Sequence, residues 1–248
     1  MDEGNKVTAT GKVVGKRYEL IQELGRGGMA RVWLARDAEV GASERWFAIK
    51  EPVDTELNKI SRFYREARAH WLLRDSPHIV RMHGFEHPDN NAPYLVLELM
   101  QGGSLKELLG EFNRYRLEHD RLESGMPREL ALKLAWQAVS AVRDMHQQDF
   151  AHRDLKPSNL LLVQRREQIL DLKDGTLKLS DLGIVDEDSF GGPDDTQLGG
   201  MVGTWQYAPP ELLKGLADKN ETSRDTAAVK RGDLYALGLI LYLSLIHI

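Results

Sequence analysis

The sequence predicts an α+β chain of two lobes, a small antiparallel sheet carrying one main helix followed by a mostly helical half. Three observations predict it. Between residues 18 and 99, short runs rich in β-formers are broken by Gly, Pro and Asn turns, as strands and hairpins require. After Gln101-Gly102-Gly103 the apolar residues recur at helical spacing instead. The 248 residues suffice for one large domain or two small lobes with a substantial core.

Met1 to Lys16 is polar and Gly-rich, without the apolar stretch of a secretory signal, and predicts a flexible leader over residues 1–16. The first lobe is expected over 17–99. Residues 18–24 and 30–36 read as strands joined by the Gly-rich turn Gly25-Arg26-Gly27-Gly28, and 46–50 as a third. Residues 55–74 carry helix formers with charges gathered on one face. Residues 80–86 and 94–99, separated by His87-Pro88-Asp89-Asn90-Asn91, read as two further strands.

The second lobe, 100–248, opens on the glycine pair as a hinge. Ser104 caps a helix to residue 112, with Glu107 at the capping-box position. Residues 114–123 mix charge signs densely and read as a solvated face. A helix over 128–147 shows the apolar stripe Leu134, Ala135, Ala138, Val139, Val142 and Met145, which is core packing. Residues 160–163 and 176–179 predict a strand pair around Asp174-Gly175, with 164–173 a charged insertion. Residues 234–248 are strongly apolar but fall short of the roughly 20 that a spanning helix needs, so they read as a buried core helix.

Composition narrows the function. Hydrophobic residues at 42 % and charged residues at 29 % exclude wholesale disorder. A net charge of −5 argues against a mainly electrostatic nucleic-acid binder, which is usually basic. With no cysteine, disulfides, thiolate catalysis and Cys-based zinc sites are impossible, and a reducing cytoplasm fits.

The run His152-Arg153-Asp154-Leu155-Lys156-Pro157-Ser158-Asn159 puts an acid able to orient a hydroxyl five residues before an amide oxygen able to hold Mg²⁺. It follows an amphipathic helix and precedes Asp181-Leu182-Gly183, with the Gly-rich turn and Ala48-Ile49-Lys50 upstream. That order of parts suits transfer of the γ-phosphoryl group of ATP to a protein hydroxyl. The glycines Gly25, Gly27 and Gly28 let backbone amides fold over phosphates, although any hairpin turn would match by itself. A dinucleotide-binding turn would lead into a helix, whereas Val32 and Leu34 continue a strand. Lys50, at the end of an apolar strand, would reach the α- and β-phosphates, held by a carboxylate of the next helix. Glu66 is the candidate; Glu56 lies too near the helix start.

The run from Leu24 to Val32, with its Gly-Gly-Met, together with these motifs in order from Arg17 to about Leu243, resembles the eukaryotic-like serine/threonine protein kinases of bacteria. The resemblance implies a bilobal protein-kinase-like fold and the cofactors ATP and Mg²⁺, with Mn²⁺ as a substitute. It implies Asp154 as catalytic base or hydroxyl-orienting group and Lys156 as the cation that meets the moving γ-phosphate. Asn159 and Asp181 would hold the metal, and His152 would be structural. Val32, Ala48 and Leu161 would sandwich the adenine, with Leu24 among the ATP-binding residues, Leu97 as gatekeeper and the backbone of Glu98 and Leu99 on the ring's edge. Asp181-Leu182-Gly183 departs from the commoner Asp-Phe-Gly yet keeps the aspartate and an apolar plug.

Further along, Gly203-Thr204 and Tyr207-Ala208-Pro209-Pro210-Glu211 resemble the end of an activation segment, with Pro209 replacing the usual Ala. Arg153 beside Asp154 implies control by loop phosphorylation, with Thr196 preferred over Ser189 as acceptor. Asp233 would accept backbone N–H bonds from the catalytic loop. Protein substrates are implied, as is dimerisation for trans-autophosphorylation; no nucleic-acid or membrane contact is evident. The expected location is cytoplasmic, including as the cytoplasmic part of a longer, membrane-attached protein. The competing readings are a pseudokinase or regulatory scaffold and a small-molecule kinase of related fold. Because the family's fold continues for several helices beyond the one holding Asp233, the sequence predicts a helical lobe that lacks its last helices. An exposed apolar flank, an unstable fragment and weak or absent activity would follow.

Overall fold

Glycine and lysine at positions 15 and 16, both with left-handed backbone (φ 59° and 61°), fold the chain back on itself at the start of the described structure. The structure, a computed structural model, describes residues 11–39, 45–53, 57–87, 92–118, 126–164, 176–182, 205–210 and 226–246. The turn pairs β1 (Val13–Val14) with β2 (Tyr18–Arg26), so the last residues of the expected leader form an edge strand. Two residues are too few for periodicity to show, which is why the sequence hid them.

The chain divides into two units, the first being Met1–Trp71 with Val80–Leu99, the second Leu72–Ile79 with Met100–Ile248. In the first, β2 continues to β3 (Ala30–Asp37), β4 (Trp46–Pro52), the helix α1 (Leu57–Leu72), β5 (Met82–Glu86) and β6 (Tyr94–Glu98). The sheet is antiparallel throughout, in the order β1-β2-β3-β4-β6-β5. It thus has six strands where the sequence pattern predicted five.

Alternation along the strands separates two faces. One buries Tyr18, Leu20, Trp33, Ala35, Ile49, Tyr94 and Val96 in a single cluster. Tyr18 meets the edge of Phe47 there at 5.6 Å between ring centres. The register pairs Val32 with Lys50 and Ala48 with Leu97, which puts these four on the opposite face. Lys50 does not end its strand: β4 runs on to Pro52, paired with Ala30, because the hairpin partner extends that far.

In the second unit, α2 (Leu105–Glu118) begins with the predicted capping box. The Ser104 N–H donates to Glu107 Oε2 at 2.7 Å, and the Glu107 N–H to Ser104 Oγ at 3.3 Å. The helix runs six residues past the expected end at 112. The helix α3 (Arg128–Gln147) has the predicted bounds. Its buried stripe holds Leu134, Ala138, Val142 and Met145 but also Gln137, Ser140 and Ala141; Val139 is exposed and Ala135 only half-buried.

The strands β7 (Leu160–Leu162) and β8 (Leu177–Leu179) form a two-stranded ladder whose edge lies against α3. There Gln137 Oε1 accepts the Leu177 N–H at 2.6 Å. The glycine pair expected as a hinge is laced to β7 by bonds from Gly102 N–H to Leu162 O and from Leu162 N–H to Gly103 O. A Cβ at Gly102 would strike Leu162 and the Gln164 backbone. The last helix, α4 (Thr226–Ile246), buries Val229, Asp233, Ala236, Leu237 and Ile240. Leu234, Tyr235 and Tyr242 are exposed, so this expected core helix is buried on one face only. Among the described residues no helix is long and apolar enough to cross a membrane.

Candidate active site

The first unit supplies a Gly-rich turn and a buried ion pair. The β2–β3 ladder carries Gly25 opposite Val32, and the Gly27 N–H closes the turn on the Ala30 carbonyl at 2.9 Å. Leu24, Gly25, Gly27 and Gly28 are all exposed there. The Lys50 Nζ donates to Glu66 Oε1 at 2.5 Å, and both residues are buried. Strand and helix thereby hold an ammonium in a defined place, the expected partner being Glu66; Glu56 lies outside the described residues. Val32, Ala48 and Leu97 share the sheet face of Lys50.

His70, one turn beyond Glu66, was not singled out from the sequence. It is buried, its Nδ1 lies 3.0 Å from the Val80 carbonyl and its Nε2 3.9 Å from Glu66 Oε1. The only signal for it was a polar residue at an apolar position of the helix pattern. At Glu98 the backbone N–H donates to the Arg81 carbonyl at 2.9 Å, while its side chain accepts the Arg81 N–H at 2.5 Å. Glu98 also pairs with Phe47 across the β4–β6 ladder. Leu99, half-buried, follows the end of β6.

The second unit supplies the loop at 150–159. Asp233 on α4 is 2 % exposed and accepts the backbone N–H groups of His152 (2.8 Å) and Arg153 (2.9 Å), as expected. It also meets His146 Nε2 at 2.9 Å, a partner the sequence did not suggest. Two charge-assisted bonds on adjacent amides fix the loop where Arg153 adopts a left-handed backbone (φ 65°). A bulky residue holds that conformation only where its surroundings over-determine it.

His152 is wholly buried, with Nδ1 accepting the Asp154 N–H at 3.3 Å and Nε2 3.0 Å from the Ser180 carbonyl. That pairing places the ring proton on Nε2. The imidazole therefore braces the loop. Asp154 presents a carboxylate 48 % exposed, whose Oδ2 receives Lys156 Nζ at 2.5 Å. Asn159 donates through Nδ2 to the Asp154 carbonyl at 2.8 Å, which leaves its Oδ1 as the acceptor a cation would use. Its own carbonyl accepts Ser180 N–H and Oγ, tying it to the residue before Asp181. Asp181 has φ 52° and Leu182 is wholly buried; Leu161 sits half-buried on β7.

Among the described residues no three His, Asp or Glu side chains form a ready metal cage. One amide oxygen and one carboxylate suit Mg²⁺, which usually completes its shell with water and substrate phosphates. Thr196, Ser189, Thr204 and Glu211 lie outside the described residues; Trp205–Tyr207 forms a short 3₁₀ turn, with Pro209 buried after it.

Residues 18–247 match the model of the protein kinase domain. A probable serine/threonine-protein kinase of Streptomyces coelicolor is 31 % identical over 232 residues, covering 92 % of this chain and 30 % of the relative. Serine/threonine-protein kinase PrkC of Bacillus subtilis is 30 % identical, covering 94 % and 31 %. PknB of Mycobacterium tuberculosis is 28 % identical, covering 91 % and 32 %. The chain thus spans about a third of the length of these relatives. The crystal structure of Rad53 1-466 in complex with AMP-PNP shares the fold, with a TM-score of 0.63 at 21 % identity, over 93 % of this chain and 48 % of that one. By its family match and its relatives, this chain belongs to the protein kinase domain family, on the bacterial serine/threonine side.

Proposed function

We propose that the chain is an ATP- and Mg²⁺-dependent serine/threonine kinase acting on protein hydroxyls. The observation that carries this reading is the 150–159 loop. It offers a half-exposed carboxylate, Asp154, with an ammonium on one oxygen and a backbone pinned by Asp233.

Phosphoryl transfer is largely dissociative, so the carboxylate needs to orient the acceptor hydroxyl and take its proton late. Lys156 follows charge on the moving phosphoryl group. In the first unit, Lys50, oriented by Glu66, binds the α- and β-phosphates, and the amides around Gly25, Gly27 and Gly28 cover them. Within that unit Val32, Ala48 and Leu97 line the adenine, Leu24 lies among the ATP-binding residues, and the backbone of Glu98 and Leu99 faces the ring edge. Asn159 Oδ1 and the Asp181 carboxylate hold Mg²⁺, or Mn²⁺ in its place, which when bound neutralises phosphate charge. Arg153 is the partner for a phosphate on Thr196 or, second, Ser189, acquired by trans-autophosphorylation between two copies. A cytoplasmic location suits ATP as donor.

The test is labelled-ATP transfer to a generic protein substrate, wild type against Asp154→Asn, with nucleotide binding measured on both. We expect label on protein Ser or Thr in the wild type and a loss of about 10²-fold or more in the variant, with binding kept. Nucleotide binding without transfer in the wild type would leave a regulatory scaffold, and label only in small acceptors a different kinase.

A further inference from the structure

A chain without cysteine leaves its thioethers as the sulfur chemistry open to oxidants. Among the described methionines, Met126 and Met145 are buried, Met82 and Met100 are half-buried, and Met29 is 43 % exposed. Met29 stands at the tip of the Gly-rich turn. Its carbonyl accepts the Val53 N–H at 3.0 Å, which anchors the backbone at the turn tip. Its sulfur lies 3.7 Å from Nη1 of Arg62 on α1. Arg62 is one helical turn before Glu66, the partner of Lys50.

We propose that Met29 is a modification site, oxidised by peroxide to the sulfoxide, which then ties the Gly-rich turn to α1 through Arg62. The thioether sulfur attacks one peroxide oxygen and the O–O bond breaks. The sulfur is oxidised by two electrons, and the second oxygen leaves, reduced, as water. A thioether accepts hydrogen bonds weakly; the new S–O oxygen is a strong acceptor beside a guanidinium. The turn that covers phosphates, on the kinase reading above, becomes fastened to the helix that orients Lys50. Oxidation would therefore be felt in nucleotide handling rather than in protein-substrate binding.

The experiment treats wild type, Met29→Leu and Arg62→Ala with hydrogen peroxide. It reads peptide masses, hydrogen exchange across α1 and the KM for ATP, each protein against its own untreated sample. We expect wild type to gain one oxygen at Met29 before Met82 or Met100, with slower exchange in α1. Its KM for ATP should shift by about threefold or more, and sulfoxide reductases of both epimer specificities should reverse every change. Arg62→Ala should gain the oxygen without the slower exchange or the KM shift, and Met29→Leu should do neither. Oxygen arriving first at Met82 or Met100 would overturn the site, and an equal response in Arg62→Ala would overturn the tie. Should untreated wild type neither bind ATP nor transfer phosphate, the kinase reading falls, while masses and exchange still decide this one.

Discussion

The Asp37 side chain is fully buried and takes two prongs of the Arg17 guanidinium, the closer at 2.7 Å. That hydrogen bonding holds its carboxyl below the usual carboxylate range, against the opposing effect of burial. A depressed carboxyl stabilises the fold fully above its unfolded pKa, and the contribution disappears as pH falls through the lower folded value. We therefore predict that wild type exceeds Asp37→Asn in stability by a constant margin above about pH 5, the margin shrinking below about pH 4. Urea unfolding across a pH series measures it; a margin growing on acidification would refute the account. At this scale the candidate site is legible wherever the proposed chemistry dictates residue type. On that proposal Asp154, Asn159, Asp181 and Lys50 each supply a carboxylate, an amide or an amine at a fixed place in the chain. The pairings His146–Asp233 and His70–Val80 join residues far apart or of unremarkable type, and no spacing announces them.

Regular elements were legible in proportion to their length. Twenty residues of helical periodicity give α3 its ends, and Ser104 with Glu107 marks the start of α2. β1, two residues long, gives no pattern. Gln137 shows the opposite failure, a polar residue inside an otherwise apolar stripe whose purpose lies in another element. Its Oε1 satisfies the edge N–H of β8 at Leu177, which the two-stranded ladder leaves without a third strand. Gln137→Leu should cost about 1–3 kcal/mol, because a buried donor loses its acceptor. Thermal unfolding would show it as a lowered midpoint. A variant as stable as wild type would mean that the β7–β8 ladder finds its acceptor elsewhere.

Across the whole molecule, the chain passes between its two units three times, at Trp71/Leu72, at Ile79/Val80 and at Leu99/Met100. The first two passages were not legible, since residues 72–79 carry no signal distinguishing one unit from the other. Specific bonds decide their membership. Ser76 Oγ donates to Asp144 at 2.5 Å and accepts the His78 N–H, while the His78 carbonyl accepts the Leu179 N–H at 2.8 Å. Asp144→Ala should therefore raise amide exchange within residues 72–79 selectively, at a global cost of about 1 kcal/mol. Exchange rising evenly along the chain would show that the Ser76–Asp144 bond is no anchor.

His146 lies in the last turn of α3, while His152 and Arg153 belong to the loop that follows, yet all three converge on one carboxylate supplied about eighty positions downstream. The residues around Asp154 therefore cannot assume their final shape until α4 has been made and has docked. During synthesis, the loop bearing Asp154 would emerge from the ribosome unfinished, and the arrival of Asp233 would complete it.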